Sequence, residues 1–493
     1  MIVNCLRANQ VSSLAAKFVI ALIMVAVSIG LPQPSTAQTA LDDYVAAPDA
    51  TYGFSLDSTV SGAGYTGYNI DLTSQTWRDP SEITNRTLWE HKMTIAQPDT
   101  IFGNTAILLI NGGSNPGNFE LLNDYALLTG SVVVNLPAIP NQPLQFAGEA
   151  FTRTEDEIIA KTFANFLDGG DSEWPLLLPM VKSAVRAMDT TQTHMASQGV
   201  TIDNFFIIGG SKRGWTTWLT AAVDDRVSAI VPGVIDMLNM DESMAHHRDA
   251  YVGTTVGLID GYSLAVGDYV LENVMDRLDT PRGQELLAIV DPYEYRDRLD
   301  MPKYLVNSTG DQFFVPDSSQ FYYEDLIGPK YLRYVPNTDH SLNEEAIAGS
   351  LVFYNALAQG LSLPDFSWNV SPDGTSITVN TVDTPLSVLV WEATNPVNRD
   401  FRAATFGTNW SSSPLAEQGP GEYMASVSTP PTGATAFMVE MTYLVGGLPL
   451  TFTTEVSVVQ IPEPASCVQF ILGTAFASLG FCRTRRSQVS VPE

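Results

Sequence analysis

Cysteine is almost missing from this chain, and the three that occur, Cys5, Cys467 and Cys482, all lie near its ends. The long body between them therefore has no thiol nucleophile, no disulfide and no cysteine ligands for zinc. Histidine is also scarce, with five in 493 residues, so few side chains are available as a general base. We expect a protein that needs neither a metal nor another cofactor.

Positively charged residues are also few: the chain has 25 Lys and Arg against 54 Asp and Glu, and its net charge is −29. Such a surface repels nucleic acids and anionic lipids, so we expect no nucleic-acid partner. The same charge favours solubility outside the cell.

The N-terminus carries the features of a secretory signal. Arg7 and Lys17 give a positive start, residues 18–31 are apolar, and Ser35-Thr36-Ala37 resembles a signal-peptidase site. The apolar run is short for a membrane span. Residues 1–37 are therefore predicted to be a signal peptide that is absent from the mature protein.

The C-terminus combines Pro462-Glu463-Pro464, an apolar stretch at 468–481, and arginines from Arg483 onward. This order resembles a PEP-CTERM sorting signal, here residues 461–493. The resemblance implies transient anchoring by a C-terminal transmembrane helix, with the arginines on the cytoplasmic side, until a sorting enzyme processes the tail. It also implies a Gram-negative source, and a mature protein in the periplasm, at the outer surface or in the matrix.

The body alternates strand-like and helix-like segments, which is typical of an α/β protein. We predict an α/β-hydrolase domain over 38–362, with a mostly parallel sheet flanked by helices. Its segment 236–300 has helical periodicity and is predicted to be a cap over the sheet. Short alternating segments over 363–460 predict a β-sandwich-like accessory module. Within the main domain, the predicted strands are 106–110, 131–136, 205–208, 229–235, 303–306 and 331–335.

A sharp strand-to-helix turn is predicted at Ser211. The apolar strand 205–208 runs into Gly209-Gly210, and a helix is expected to begin near Trp215. A serine at such a turn stands above the sheet, and small residues must flank it, as in the G-x-S-x-G elbow. Here the fifth position is arginine, and glycine follows one residue later at Gly214. Ser211 is the predicted nucleophile.

A base and an acid follow in the order expected of this fold. His340 lies after the last predicted strand and is the candidate base. Asp311 follows the next-to-last strand and is the candidate acid that orients the imidazole. Asp317 and Asp339 compete with Asp311 for that role.

The oxyanion of an acyl-transfer intermediate needs hydrogen-bond donors. One candidate is the backbone N–H of Lys212, directly after the nucleophile. The others lie in the glycine-rich loop after strand 106–110, where Gly112, Gly113 and Ser114 are not distinguished by the sequence. A simple β-turn is the alternative interpretation of that loop.

Three segments together resemble the PhoPQ-activated pathogenicity-related protein family: residues 210–216 (GSKRGWT), 174–182 (WPLLLPMVK) and 398–402 (NRDFR). The resemblance covers about 41–459. It implies an α/β hydrolase with a C-terminal β-module and the triad Ser211, Asp311 and His340. The elbow is also similar to that of glucuronoyl esterases, which act on sugar-acid esters.

Three further residues are possible substrate contacts: Arg213, His246 and His247. Lys212 and Arg213 could attract a carboxylate such as a uronic-acid ester, although pairing of the arginine with a buried acid is the favoured alternative. Adjacent histidines on a helix point about 100° apart, so they are poor joint metal ligands.

The sequence thus predicts an exported serine hydrolase that cleaves an ester through an acyl-enzyme, with a small-molecule or polysaccharide ester as substrate. A carbohydrate-linked ester is preferred, and ester cleavage is favoured over amide cleavage. Two alternatives remain: a prolyl-oligopeptidase-like serine peptidase, because residues 291–302 precede the acid strand as in those enzymes, and a non-catalytic surface or matrix binding protein on a hydrolase fold.

Overall fold

The structure is a computed structural model that describes residues 38–115, 122–252, 254 and 256–461. The described residues from Ala40 onward cluster as one unit, which contains the helices and strands of the fold. The predicted signal peptide at 1–37 and nearly all of the predicted sorting tail lie outside the described residues.

Nine strands form the central sheet, in the order β1-β2-β3-β5-β4-β6-β7-β10-β11. The three N-terminal strands are antiparallel, and the six from β5 to β11 run parallel. Their bounds are β1 Gly53–Gly62, β2 Tyr65–Thr76, β3 Leu88–Pro98, β4 Thr105–Ile110, β5 Val133–Leu136, β6 Asn204–Gly210, β7 Val227–Gly233, β10 Lys303–Ser308 and β11 Lys330–Val335. This order and the crossover helices confirm the predicted α/β-hydrolase fold.

Helices connect and cover these strands on both faces. Before β10 they are α1 Ala40–Ala46, α2 Leu122–Thr129, α3 Glu155–Leu167, α4 Leu177–Ser197, α5 Lys212–Val223, α6 Met240–Ala250, α7 Gly267–Leu271 and α8 Pro281–Val290, and α9 Glu344–Ala358 follows β11. The parallel strands are largely buried, and β4 is apolar after its first residue, Thr105.

Between β7 and β10 the chain forms the segment that the sequence predicts to be a cap. It contains α6, α7 and α8 together with a hairpin of two short strands, β8 Leu258–Ile259 and β9 Tyr262–Ser263. Short 3₁₀ helices at Leu264–Val266, Met275–Arg277 and Pro292–Arg298 join them.

The C-terminal part is antiparallel, as predicted. One sheet has the order β12-β13-β17-β16 and the other β15-β14-β18-β19, with β20 also pairing β18. The bounds are β12 Phe366–Val370, β13 Ser376–Thr381, β14 Ser387–Asn395, α10 Ala403–Phe406, β15 Ser411–Pro414, β16 Glu417–Gly419, β17 Glu422–Ser426, β18 Ala434–Val445, β19 Leu448–Thr453 and β20 Ser457–Gln460.

These sheets are packed directly on the α/β layer. Tyr304 of β10 donates its hydroxyl to the carbonyl of Thr451 at 2.7 Å, and the Tyr334 N–H donates to Thr453 Oγ1 at 2.9 Å. One apolar cluster runs from Phe353 of α9 through to Phe437 of β18. The outermost strand β11 is thus covered on its free side, which protects an otherwise open sheet edge.

No helix in residues 38–461, outside the gaps at 116–121, 253 and 255, is long and apolar enough to cross a bilayer. The C-terminal transmembrane helix that the sequence predicts, at 468–481, belongs to the part that the structure does not describe.

Candidate active site

Ser211 is the single residue that connects β6, which ends at Gly210, to α5, which begins at Lys212. Its backbone has φ 58° and ψ −130°, a conformation that non-glycine residues rarely adopt. The Ser211 N–H donates to the Gly233 carbonyl at 2.8 Å, and the Ser211 carbonyl accepts from the Trp215 N–H at 3.0 Å. The turn is therefore fixed on both sides.

Glycine is needed at two positions around this turn. A Cβ on Gly209 would lie 2.3 Å from the Arg213 carbonyl oxygen and 2.6 Å from Thr217 Oγ1. A Cβ on Gly214 would lie 3.0 Å from the Gly209 carbonyl oxygen. At Gly210, by contrast, the nearest atom would be a Val234 methyl at 4.0 Å. The close approach of helix to strand thus explains the glycines at 209 and 214.

His340 and Asp311 are in direct contact. His340 Nδ1 lies 2.9 and 2.8 Å from the two carboxylate oxygens of Asp311. Asp311 is buried, and its Oδ1 also accepts the Phe313 N–H at 2.7 Å. His340 Nε2 is buried and has no hydrogen-bond partner among the described residues. The imidazole is therefore held at one nitrogen and available at the other.

The two competing acids have other partners. Asp317 is buried against His246 and Arg399. Burial opposes its ionisation, but Arg399 and His246 outweigh burial and hold the pKa of Asp317 well below its usual range. Asp339 Oδ1 accepts the Ser341 N–H at 2.9 Å in a local turn. Asp311 is thus the acid, of these three, that bonds His340.

Ser211 separates two cavities. The first, which we call the His340 cavity, has a volume of about 330 Å³ and is lined by Asn111, Gly210, Ser211, His340 and Leu342 among others. The second has a volume of about 40 Å³ and is lined by Ser211, Lys212 and mainly apolar side chains. Ser211 and His340 therefore face one common space.

The loop after β4 places Asn111, rather than a glycine, on that space. Gly112, Gly113 and Ser114 are not among the described residues that line either cavity. Gly113 has φ 77°, which favours glycine. Lys212 is the first residue of α5, and an N–H in the first turn of a helix has no partner within the helix. Asn111 was not among the predicted site residues, and its two donor nitrogens are already engaged: Nδ2 donates to Asn135 Oδ1 at 2.5 Å, and the N–H donates to the Leu136 carbonyl at 2.8 Å.

Lys212 and Arg213 belong to a compact ion-pair cluster with the start of α3. Lys212 Nζ lies 3.0 Å from Glu155 Oε2 and 2.9 Å from Asp156 Oδ2, and Arg213 Nη2 lies 2.8 Å from Glu155 Oε1. Burial raises the pKa of Glu155, but Arg213 and Lys212 outweigh it, and the pKa is about 2. Both cations are therefore neutralised by protein carboxylates. The sequence favoured an acid partner for Arg213 but did not identify Glu155.

Arg213 also presses on the glycine loop. Its Nε donates to the Ile139 carbonyl at 2.5 Å, and a Cβ on Gly112 would lie 2.0 Å from its Nη2. The guanidinium thus fills the space that a side chain at 112 would occupy, so a larger residue there would have to displace Arg213.

The two adjacent histidines have separate surroundings. His246 Nε2 lies 3.1 Å from Asp317 Oδ1, and its ring contacts that of Phe321 at a tilt of 55°. His247 is fully buried, and its Nε2 accepts the Ser263 N–H at 3.1 Å. Burial lowers the pKa of His247 to about 3, so its ring is neutral. The prediction that His247 contacts substrate is corrected, because its side chain belongs to the interior of the cap.

Known proteins resemble the chain over most of its length. Residues 41–402 match the family described as PhoPQ-activated pathogenicity-related protein. Autocrine proliferation repressor protein A of Dictyostelium discoideum is 38% identical over 473 residues, which covers 88% of this chain and 94% of that protein.

Two solved acetyl xylan esterases also match, each with a TM-score of 0.45 over 64% of this chain and 91% of its own. They are from Paenibacillus sp. R4, at 13% identity, and Thermoanaerobacterium sp. JW/SL YS485, at 16% identity.

The family match extends from α1 to Arg402 and so contains Ser211, Asp311 and His340. It also contains all three segments in which the sequence resembles that family. Because the matched region spans well over half of the chain, the protein belongs to the PhoPQ-activated pathogenicity-related protein family.

Proposed function

We propose that this protein is a serine hydrolase that cleaves an ester through an acyl-enzyme. The observation that carries the proposal is the arrangement of Ser211 at a strained turn beside a cavity that His340 also lines, with His340 bonded to Asp311. Serine is a weak nucleophile without a base, and this arrangement supplies one. Decay of an enzyme into a binding protein usually removes one of these three groups.

In the first half-reaction, Ser211 Oγ forms a bond to the ester carbonyl carbon while His340 Nε2 takes the hydroxyl proton. The carbonyl oxygen becomes an oxyanion, for which the Lys212 N–H and the 112–114 loop are the proposed donors. When this intermediate collapses, the bond to the alcohol oxygen breaks and His340 returns the proton to that oxygen. Asp311 stabilises the imidazolium and fixes its orientation.

In the second half-reaction, water replaces the alcohol. His340 Nε2 takes a proton from the water as its oxygen bonds to the acyl carbon, and the Ser211 Oγ–carbon bond then breaks. The proton returns to Ser211 Oγ, and the carboxylic acid leaves. The enzyme is regenerated with no external redox partner or cofactor.

For the alcohol side of the substrate, we propose a carbohydrate hydroxyl. The similarity of residues 211–215 to the glucuronoyl-esterase elbow supports it. The ion pairs of Lys212 and Arg213 argue against recognition of a uronic carboxylate by those two side chains, since Glu155 and Asp156 already balance them.

We further propose export, with the tail processed by a sorting enzyme, on the basis of residues 1–37 and 461–493. Expression of the full chain in a Gram-negative host, fractionation and mass spectrometry of both termini test this. A mature N-terminus near residue 38 in an exported fraction is expected, and an intact cytoplasmic chain would contradict it.

The enzymatic proposal is tested by labelling the purified protein with a fluorophosphonate. We expect labelling of the wild type and of Ser61→Ala, an exposed control on β1, and no labelling of Ser211→Ala. Equal labelling of the wild type and Ser211→Ala would contradict the assignment. A panel of chromogenic esters and amides then separates an esterase from a prolyl-oligopeptidase-like peptidase, with esters expected to react faster.

A second candidate, a non-catalytic binding protein, is favoured by one observation: the 38% identical relative is described as a proliferation repressor. A folded wild-type protein that neither labels nor turns over any ester or amide would support this candidate instead.

A further inference from the structure

The second cavity beside Ser211 has a distinct composition. Four methionines contribute to its wall, namely Met237, Met240, Met244 and Met275, and the first three are buried. We call it the methionine cavity. Its other lining residues include Trp215, in the first turn of α5, and Phe313 and Phe314, which follow Asp311. Its floor therefore comes from the hydrolase layer and its roof from the cap.

The polar groups at this cavity already have protein partners. Lys212 Nζ is paired with Glu155 and Asp156, and the Tyr269 hydroxyl donates to Asp156 Oδ1 at 3.0 Å. Trp215 Nε1 donates to the Val290 carbonyl at 2.5 Å. An ionic or strongly polar ligand would find few unpaired partners there, whereas an apolar ligand leaves no buried polar group unsatisfied.

The position of His340 assigns the two cavities to the two halves of an ester. The leaving alcohol takes its proton from His340, so it must lie in the His340 cavity. The acyl group stays bonded to Ser211, and the methionine cavity, which Ser211 lines and His340 does not, is the second space next to it. Phe313 stands at the boundary, because its ring centroid lies 4.3 Å from that of His340 while it also lines the methionine cavity.

Resting on the proposed function, we infer that the methionine cavity binds the acyl chain of the substrate and that this chain is a linear aliphatic one. The cavity is narrow, about 40 Å³, and its wall is mainly apolar, which suits a thin unbranched chain better than a ring. Methionine side chains have three rotatable bonds and polarisable sulfur, so a wall of methionines adapts to a flexible chain.

The inference is tested with p-nitrophenyl esters of linear acids from acetate to laurate. We expect kcat/KM to rise about fourfold for each added methylene until the cavity is full, and then to fall. A maximum at acetate, or a flat profile, in a protein whose Ser211 reacts with fluorophosphonate would overturn the acyl-chain inference and leave the hydrolase proposal intact.

Substitutions in the roof locate the effect. Met244→Ala should move the optimum to longer chains and Met244→Phe to shorter ones, while Met424→Ala, at an exposed methionine of β17, should leave it unchanged. Identical profiles for all three folded variants would contradict the assignment of this cavity.

A binding measurement separates failure of this inference from failure of the proposed function. In Ser211→Ala, octanoate should raise Tm in a concentration-dependent way and acetate should not, because binding to the folded state alone stabilises it. If the wild type does not react with fluorophosphonate but octanoate still binds, the hydrolase proposal fails and the cavity assignment stands. If octanoate has no more effect than acetate, the inference is refuted.

Discussion

Replacement of Gly209 by alanine tests the geometry of the serine turn, and the neighbouring Gly210 provides a matched control. The new methyl group of Gly209→Ala would lie 2.3 Å from the Arg213 carbonyl oxygen and 2.6 Å from Thr217 Oγ1. Ordinary contact begins at 3.4 Å, so the start of α5 must move away from β6 by about 1 Å. Ser211 lies on the connection that moves.

The expected magnitudes follow from that displacement. Overpacking of this kind costs about 1–3 kcal/mol of folding free energy, and a shift of about 1 Å in a catalytic group costs about 100-fold in rate. Gly210→Ala adds the same methyl group one residue later, where its nearest neighbour is 4.0 Å away. It should therefore change the folding free energy by no more than about 0.5 kcal/mol.

The assay compares urea midpoints of the two variants with the wild type and then measures their rates of reaction with fluorophosphonate. Gly209→Ala should show a lower midpoint and labelling slowed by about two orders of magnitude. Gly210→Ala should keep the wild-type midpoint. If both variants are equally stable and equally reactive, the close packing of α5 on β6 is not what holds Ser211 in place.

Three further predictions concern individual side chains. Asp311→Asn should lower kcat by about 10³–10⁴-fold, because it disturbs the orientation and charge of His340. The control Asp339→Asn should retain activity within about twofold. Equal losses of kcat for the two variants in steady-state assays would contradict the assignment of Asp311 as the acid. Burial raises the pKa of Asp236 to about 7 despite hydrogen bonds from two tyrosines, so the folded state favours the protonated carboxyl. The contribution of Asp236 to the free energy of unfolding is therefore fully present below about pH 4 and is lost as the pH rises to 7, by up to about 1.4 kcal/mol per pH unit. Urea unfolding of Asp236→Asn at several pH values should lack this part of the pH dependence. Arg213→Lys removes the bond to the Ile139 carbonyl and should lower kcat by about tenfold with KM little changed, while a change in KM alone would point to substrate binding instead.

The parts of the fold with clear periodicity were predictable. The run of apolar residues at 106–110 corresponds to β4, and the strand before Ser211 and the helix after it both occur. The helix begins at Lys212 rather than near Trp215, because its first turn is needed to reverse the chain after the serine.

Other features depend on contacts between distant segments and leave little trace in the sequence. Phe54, Leu56 and Val60 of β1 alternate with polar residues, but eight of the ten residues of this strand are exposed, so the alternation does not mark a buried face. Glu155 and Asp156 look like ordinary acids of a helix N-terminus, and only the folded chain brings them to Lys212, more than fifty residues later. The burial of His247 likewise depends on the β8–β9 hairpin that covers it.

The unusual spacing of the serine turn has a physical explanation in this structure. The turn requires small residues where β6 and α5 touch, and Gly209 and Gly214 occupy those contacts. Position 213 meets Gly209 through its backbone carbonyl, so its side chain is free to point away from the turn. Arg213 uses that freedom to join Glu155 of α3 to the loop at Gly112. Arginine therefore replaces the usual glycine without loss of the turn, and it couples the serine to the loop that carries the proposed oxyanion donors.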